Sequence, residues 1–249
     1  MIESVTWSAP PPAIALLENE VHIWRAWLDV EAREFARLSS CLSADELLRA
    51  DRFVFSRDRH HFTVARGRLR ELLAIYLRCP PESFQFRTGR YGKPSVAEDI
   101  PVRFNLTHSY GLALYAFAIN RDLGIDVEKN RAEFASKEIA ERYFSAAEQQ
   151  ELNQLPTEIQ SDAFFLCWTR KEAYVKAHGD GLQIPLDSFD VSLTPGKPEI
   201  LRSADQQRWS MRSFSPASQY VGSIVGEGKF DSINFWNYPY EPAIESANE

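Results

Sequence analysis

The chain has 249 residues, 44% of them hydrophobic and 25% charged, with a formal net charge of −7 and a mean hydropathy of −0.35. These are ordinary values for a soluble globular protein, long enough for a sizeable core in one large domain or two small ones. The net acidity argues against a general nucleic-acid binder, and no run approaches the ~20 apolar residues needed to span a bilayer.

In chain order, the apolar patch 13–17 follows three prolines with no basic residue ahead of it, so it is not read as a signal peptide. Alternating aromatic and aliphatic residues predict a strand over 21–28. Ser43, with Glu46 three residues later, makes a capping-box sequence and opens a helix to about Phe55. Leu69, Leu72, Leu73 and Tyr76 recur at helical spacing along 60–77, and Cys79-Pro80-Pro81 stops that helix. A short strand at 84–87 leads into the basic turn Thr88-Gly89-Arg90-Tyr91-Gly92-Lys93-Pro94. Strands are predicted at 102–107 and 112–119, joined at Ser109-Tyr110-Gly111. Another follows at 123–128 after the tight turn Asn120-Arg121-Asp122, and a hairpin of these last two is expected.

The second half begins with a helix over 136–143. Ser145 and Glu148 repeat the capping box and start a helix to about Leu155. A second long helix, 160–177, is closed by Gly179 and Gly181. Strands follow at 189–193, 209–214, 220–225 and 233–238, and the polar tail of about nine residues is expected to fray. Interspersed helices and short strand connections point to a mixed α/β (α+β) architecture with mainly antiparallel sheets. Two halves of similar length, each with one long helix, suggest a pseudo-duplicated pair of subdomains, 1–120 and 121–249. A site drawing on both would lie in the cleft between them.

Charge is unevenly spread. Ten arginines lie between 49 and 90 against Asp51, Asp58, Glu71 and Glu82, a surplus of six positive charges that leaves the rest of the chain near −13. Such a surface suits a phosphate-rich small molecule or an acidic partner, and equally a solvated basic helix. Three scattered cysteines, Cys41, Cys79 and Cys167, lack metal-ligand spacing and point to a reducing cytoplasm.

Two acidic clusters carry the most chemistry. In the strand Gly124-Ile125-Asp126-Val127-Glu128, alternation sends Asp126 and Glu128 to one face and Ile125 and Val127 into the core. In the helix containing Trp168-Thr169-Arg170-Lys171-Glu172-Ala173-Tyr174-Val175-Lys176, Glu172 and Lys176 stand one turn apart on one face. Three carboxylates and an ammonium on two rigid elements suit a hard divalent cation beside a phosphorylated ligand. Taken singly, each motif has a structural alternative. Asp126 and Glu128 could be a solvated strand end, and Glu172 with Lys176 a surface pair worth about 0.3–0.5 kcal/mol. His108, in Phe104-Asn105-Leu106-Thr107-His108-Ser109, could be a core histidine or a phosphate contact, with Thr107 as a further donor. Gly92-Lys93-Pro94 could be an ordinary turn or a phosphate-binding one. No Walker lysine-serine pattern and no G-x-G-x-x-G loop is present.

In their order and spacing, these four motifs closely resemble the 4′-phosphopantetheinyl transferases, from about Ser43 to Phe189. The length matches the larger, surfactin-synthetase-activating type, a monomeric pseudo-dimer. The resemblance implies an enzyme that binds coenzyme A and Mg²⁺ (Mn²⁺ as an alternative) between its subdomains. It would move the phosphopantetheine arm onto a serine of an apo acyl or peptidyl carrier protein and release adenosine 3′,5′-bisphosphate. Carrier proteins are typically acidic helical bundles. By position, Asp126, Glu128 and Glu172 would ligand the metal. Glu172 would activate the carrier serine directly or through water, and Lys176 would steady or protonate the leaving phosphate. Arg49, Arg87, Lys93, Thr107 and His108 fall where the family contacts coenzyme A, with Asn105 and Leu106 beside them. Thr107 stands where the family often has serine. The loop before Gly92 is one residue longer than in some relatives, so Arg90 stands as an alternative to Arg87. A cytoplasmic monomer is expected, without nucleic-acid or membrane partners. Two other readings use the same residues: a metal-dependent phosphodiesterase or nuclease, and a non-catalytic coenzyme A or carrier-protein binding module. The intact set of three acids and Lys176 speaks against the second.

Overall fold

The computed structural model describes residues 2–89, 92–179, 184–194 and 200–238. Arg90, Gly181 and the tail expected to fray lie outside these described residues. One main sheet contains β1 (Glu20–Trp27), β4 (Val102–Ser109), β5 (Leu112–Ile119) and β11 (Ser232–Asn237), in the order β11-β1-β5-β4. The other contains β6 (Leu123–Lys129), β9 (Trp209–Phe214) and β10 (Tyr220–Glu227), in the order β6-β10-β9. Two small hairpins complete the set: β2 (Phe86–Thr88) with β3 (Pro94–Val96), and β7 (Asp190–Val191) with β8 (Ile200–Arg202). Within these sheets the pairings are antiparallel, except that β1 and β11 run parallel. The mixed α/β, mainly antiparallel architecture expected from the sequence is thus the observed one.

Six α-helices accompany them: α1 (Ala32–Ser39), α2 (Ala44–Ala50), α3 (Ser56–Leu77), α4 (Lys137–Tyr143), α5 (Ala146–Gln154) and α6 (Thr157–His178) among the described residues. Leu69, Leu72 and Leu73 of α3 pack with Trp24, Tyr115 and Phe117 of the first sheet. Phe165 and Leu166 of α6 pack with Met211 and Val225 of the second. A third core lies between the sheets, where Ile23, Leu114 and Ala116 meet Ile125, Val127 and Ile224. Strand β5 is therefore buried on both faces, which is why its sequence, Leu-Ala-Leu-Tyr-Ala-Phe-Ala-Ile, is apolar throughout.

That double burial also explains one correction. The expected hairpin of 112–119 with 123–128 does not form. Strand β5 is flanked by β1 and β4, and β6 pairs with β10. The turn at Asn120, with φ of 47°, carries the chain from one sheet to the sheet stacked on it. Two further differences are local. The helix expected over 43–55 ends at Ala50, and α3 begins at Ser56 rather than His60. Helix α1 has no counterpart in the sequence reading, because its eight residues bury only Leu38 and Glu34. Both capping boxes form as expected, at Ser43 with Glu46 and at Ser145 with Glu148. A cut at 120 falls in the turn between the two sheets, yet β11, from the far end of the chain, completes the first sheet beside β1. Among the described residues, no helix is long and apolar enough to cross a membrane.

Candidate active site

The two sheets meet along β4 and β6, where side chains replace the backbone ladder. The Asn105 carboxamide oxygen accepts from the Ile125 N–H at 2.9 Å. The Thr107 hydroxyl donates to Asp126 at 3.1 Å, and the Ser109 hydroxyl donates to Glu128 at 2.7 Å. Partners rise together in number along both strands, so β4 and β6 run in the same direction. The polar residues of β4 are spaced by two because alternate side chains of a strand share a face.

Helix α6 closes over this seam at very short range. A Cβ built on Gly124 would stand 2.2 Å from the Ala173 carbonyl oxygen and 2.3 Å from the Ala177 nitrogen. Only glycine lets β6 and α6 approach backbone to backbone in this way. The helix is also fixed in rotation. Lys171 is fully buried, and its ammonium contacts Glu148 at 2.8 Å, the Leu186 carbonyl at 2.6 Å and the Phe189 carbonyl at 2.8 Å. Successive helical residues turn by about 100°. With Lys171 pointing to Glu148 and the Leu186 and Phe189 carbonyls, Glu172 is turned toward the seam, within reach of the Asp126 charge.

There Lys176 donates to Asp126 Oδ1 at 2.5 Å and to the Thr107 hydroxyl at 3.4 Å. Asp126 is buried, and its Oδ2 has no hydrogen-bond partner. Burial pushes the Asp126 carboxyl above its usual range, opposed by Lys176. Burial and then the Asp126 charge push Glu128 up to about 7, with Glu172 adding to the rise. Glu172 is raised as well, by burial and then by Asp126. The Asp126 charge therefore opposes ionisation of both Glu128 and Glu172, and Lys176 is the cation that touches Asp126. Among the described residues, no three histidine, cysteine or acidic side chains are drawn together as a formed metal cluster. The donor set nevertheless fits a hard divalent cation. It offers oxygen ligands, one of them a buried carboxylate oxygen without a partner, in a site whose like charges an added cation would relieve.

The remaining expected contacts are spread around this centre. Lys93 donates to the Leu123 carbonyl at 2.9 Å and the Ala177 carbonyl at 3.2 Å, tying the turn to the start of β6 and the end of α6, and burial lowers its pKa. Arg87 and Lys93 line a cavity of about 370 Å³ together with Arg103, Asp122, His178 and Gly179. His108 is exposed at the edge of the seam. Loss of hydration from the surrounding protein, then the charges of His61 and Lys176, lowers its pKa. Arg49 lies on α2, its guanidinium 5.3 Å from the Phe62 ring. Leu106 packs against the core between α3 and the first sheet. The structure thus joins Thr107, Asp126 and Lys176 in one hydrogen-bonded group, sets Glu128 and Glu172 within reach of the Asp126 charge, puts Arg87 and Lys93 in one cavity, and leaves Arg49 on a separate element. Ser109 and Lys171 received no role from the sequence. The spacing Asn105, Thr107, Ser109 on one strand face was the signal for the first; for a fully buried lysine the sequence carries none.

Residues 122–225 match the 4′-phosphopantetheinyl transferase superfamily, and residues 25–118 match 4′-phosphopantetheinyl transferase, N-terminal. The chain is 38% identical over 236 residues to the 4′-phosphopantetheinyl transferase HetI of a Nostoc species, covering 94% of this chain and 98% of that protein. It is 32% identical over 160 residues to the 4′-phosphopantetheinyl transferase Sfp of Bacillus subtilis, covering 64% of this chain and 70% of that protein.

Proposed function

The chain belongs to the 4′-phosphopantetheinyl transferase superfamily, and from that premise we propose that it moves the 4′-phosphopantetheine arm of coenzyme A onto a serine of an apo carrier protein, with Mg²⁺ as the metal and Mn²⁺ as the alternative. In that reaction the serine oxygen forms a bond to the β-phosphorus of coenzyme A. The bond from that phosphorus to the bridging pyrophosphate oxygen breaks, and adenosine 3′,5′-bisphosphate leaves. The serine proton passes to Glu172, directly or through water. Lys176 neutralises or protonates the departing phosphate oxygen. Thr107 holds both Asp126 and Lys176 through its hydroxyl, and Arg87, Lys93 and His108 are assigned to the phosphates of coenzyme A.

Asp126, Glu128 and Glu172 are the residues that would hold the metal. A divalent cation there supplies charge neutralisation at the pyrophosphate oxygens. The observation that carries this reading is the unpartnered, buried Oδ2 of Asp126, a carboxylate whose charge raises the pKa of both Glu128 and Glu172. A stability-driven sequence has no use for such a cluster, whereas a phosphoryl-transfer site does.

The test is to incubate the protein with Mg²⁺, coenzyme A and an apo carrier protein, and to weigh the carrier by mass spectrometry. A phosphopantetheine-sized gain that disappears with EDTA is expected. Cleavage of coenzyme A with an unmodified carrier would assign a phosphodiesterase instead, and binding without any gain would assign a non-catalytic module.

A further inference from the structure

We propose that Asp205 and His178 latch the last turn of α6 and so set the position of the Lys176 ammonium, which makes both of them positioning residues for the transfer step. This rests on the transferase reading and adds what holds that reading's cation in place. Lys176 lies in the last turn of α6, which ends at His178. The final carbonyls of a helix have no partner within it, and such ends fray. A side chain carried on a fraying turn would not keep one contact. Lys176 nevertheless meets Asp126 at 2.5 Å while its own side chain is 30% exposed.

The residues on either side of Lys176 are tied to one carboxylate. Asp205, in the connection between β8 and β9, accepts at Oδ1 from the Tyr174 hydroxyl at 2.5 Å and at Oδ2 from the His178 Nε2–H at 3.0 Å. The Trp209 indole N–H donates to the same Oδ2 at 2.7 Å, and the Ser203 hydroxyl to Oδ1 at 3.4 Å. Burial opposes ionisation of Asp205, but the hydrogen bonds from Tyr174, Trp209 and His178 outweigh it and hold the carboxyl down to about 2. Asp205 is therefore an anion at neutral pH.

His178 is held at both nitrogens and on both sides of its ring. Its Nδ1 lies 2.9 Å from the Tyr174 carbonyl oxygen. A carbonyl and an ionised carboxylate only accept, so both ring nitrogens are placed to donate, and a ring that donates from both is a cation. The Tyr174 and Trp209 rings stand 4.3 and 4.5 Å from it, centroid to centroid. Aromatic rings and a helix C-terminus both favour positive charge there. Lys93 adds a second brace, donating to the Ala177 carbonyl at 3.2 Å. Tyr174, Ala177 and His178 are thus all held, and Lys176 lies among them. Stability alone does not call for this arrangement. The Asp205 side chain is 34% exposed, so its ion pair with His178 adds little to folding. What four donors on one carboxylate do is fix an orientation.

The test uses the full chain with Mg²⁺, coenzyme A and a purified apo carrier protein. The variants are Asp205→Asn, Tyr174→Phe, Lys176→Ala and the double variant of Asp205→Asn with Lys176→Ala. Asp205→Asn keeps the shape of the side chain and removes its charge. Its kcat should fall ~10-fold through a misplaced ammonium, with the KM for coenzyme A and for carrier unchanged. Tyr174→Phe should lower kcat by less. Hydrogen exchange at the amides of 174–178 should quicken in Asp205→Asn. In the Lys176→Ala background, Asp205→Asn should lower the single-turnover rate no further, because the latch acts through the ammonium it places. A wild-type kcat in Asp205→Asn, or unaltered exchange at 174–178, overturns the latch alone. So does an equal fall in both backgrounds, a rise in either KM that matches the fall in kcat, or a Lys176→Ala variant with normal kcat. Should Asp205→Asn fail to fold, the same cycle on Tyr174→Phe decides. A wild type that modifies no carrier overturns the transferase reading, and the latch's role with it.

Discussion

The substitution Glu128→Gln should make the protein more stable and less active, and the size of the first effect follows from the site. Burial, then the charges of Asp126 and Glu172, push the Glu128 carboxyl from 4.5 to about 7, against the hydrogen bond from Ser109. A displacement of that size corresponds to roughly 3 kcal/mol of unfavourable ionisation in the folded state. Glu128 is only half-buried, and solvent screening reduces this to about 1–2 kcal/mol. The sign is set by linkage. The folded carboxyl holds its proton more tightly than the unfolded chain does, so its stabilising contribution is fully present below pH 4.5 and is lost as pH rises toward 7. Glutamine keeps an oxygen for Ser109 and cannot ionise. Its advantage should be near zero at pH 4.5 and full at pH 8, where a chain of this size should melt about 2–8 °C higher than wild type. Calorimetry in EDTA at several pH values measures this. Added Mg²⁺ should raise the wild-type midpoint more at pH 8 than at pH 6, and should raise that of Glu128→Gln less. A variant that melts below wild type at pH 8, or that differs by the same amount at every pH, would refute the reasoning.

Asp126→Ala and Glu172→Ala should each lower turnover at least ~10²-fold with the fold retained, as single-turnover kinetics and circular dichroism would show; near-normal rates in either would remove the role assigned to it. Gly124→Ala sets a methyl against the backbone of α6 and should cost about 1–3 kcal/mol in urea unfolding, while lowering kcat by displacing Glu172 and Lys176. Lys171→Met leaves the Glu148 carboxylate buried without its ammonium and should cost about 3–5 kcal/mol, most of which the double variant with Glu148→Gln should recover.

Much of this architecture was legible in the chain. The two long helices, both capping boxes and the apolar strands rest on periodicity and local hydrogen bonding, which a sequence displays directly. The carboxylate pair on β6 followed from strand alternation alone. What did not follow was long-range. The stacking of β6 beneath β5, in place of a hairpin, is decided by which apolar face finds a partner, and a strand apolar on both sides does not announce its neighbour. Helix α1 buries too little to leave a pattern. At the site, the partnership of Lys176 with Asp126, rather than its one-turn neighbour Glu172 alone, depends on how closely Gly124 lets the helix approach. Lys171 reads in sequence as one more surface charge, and only the pocket formed by Glu148 and two carbonyls makes it an internal anchor.

The parallel pairing of β11 with β1 has a consequence for biosynthesis. A ribosome delivers residues 20–27 more than two hundred positions before their neighbour at 232–237. Throughout that interval β1 offers an open hydrogen-bonding edge flanked by Ile23 and Trp24, side chains that the finished protein hides completely. Newborn chains should therefore require shielding by chaperones until translation is nearly over. Fragments stopped short of residue 232 should collect as aggregates, and a separately supplied segment spanning 232–238 should rescue them.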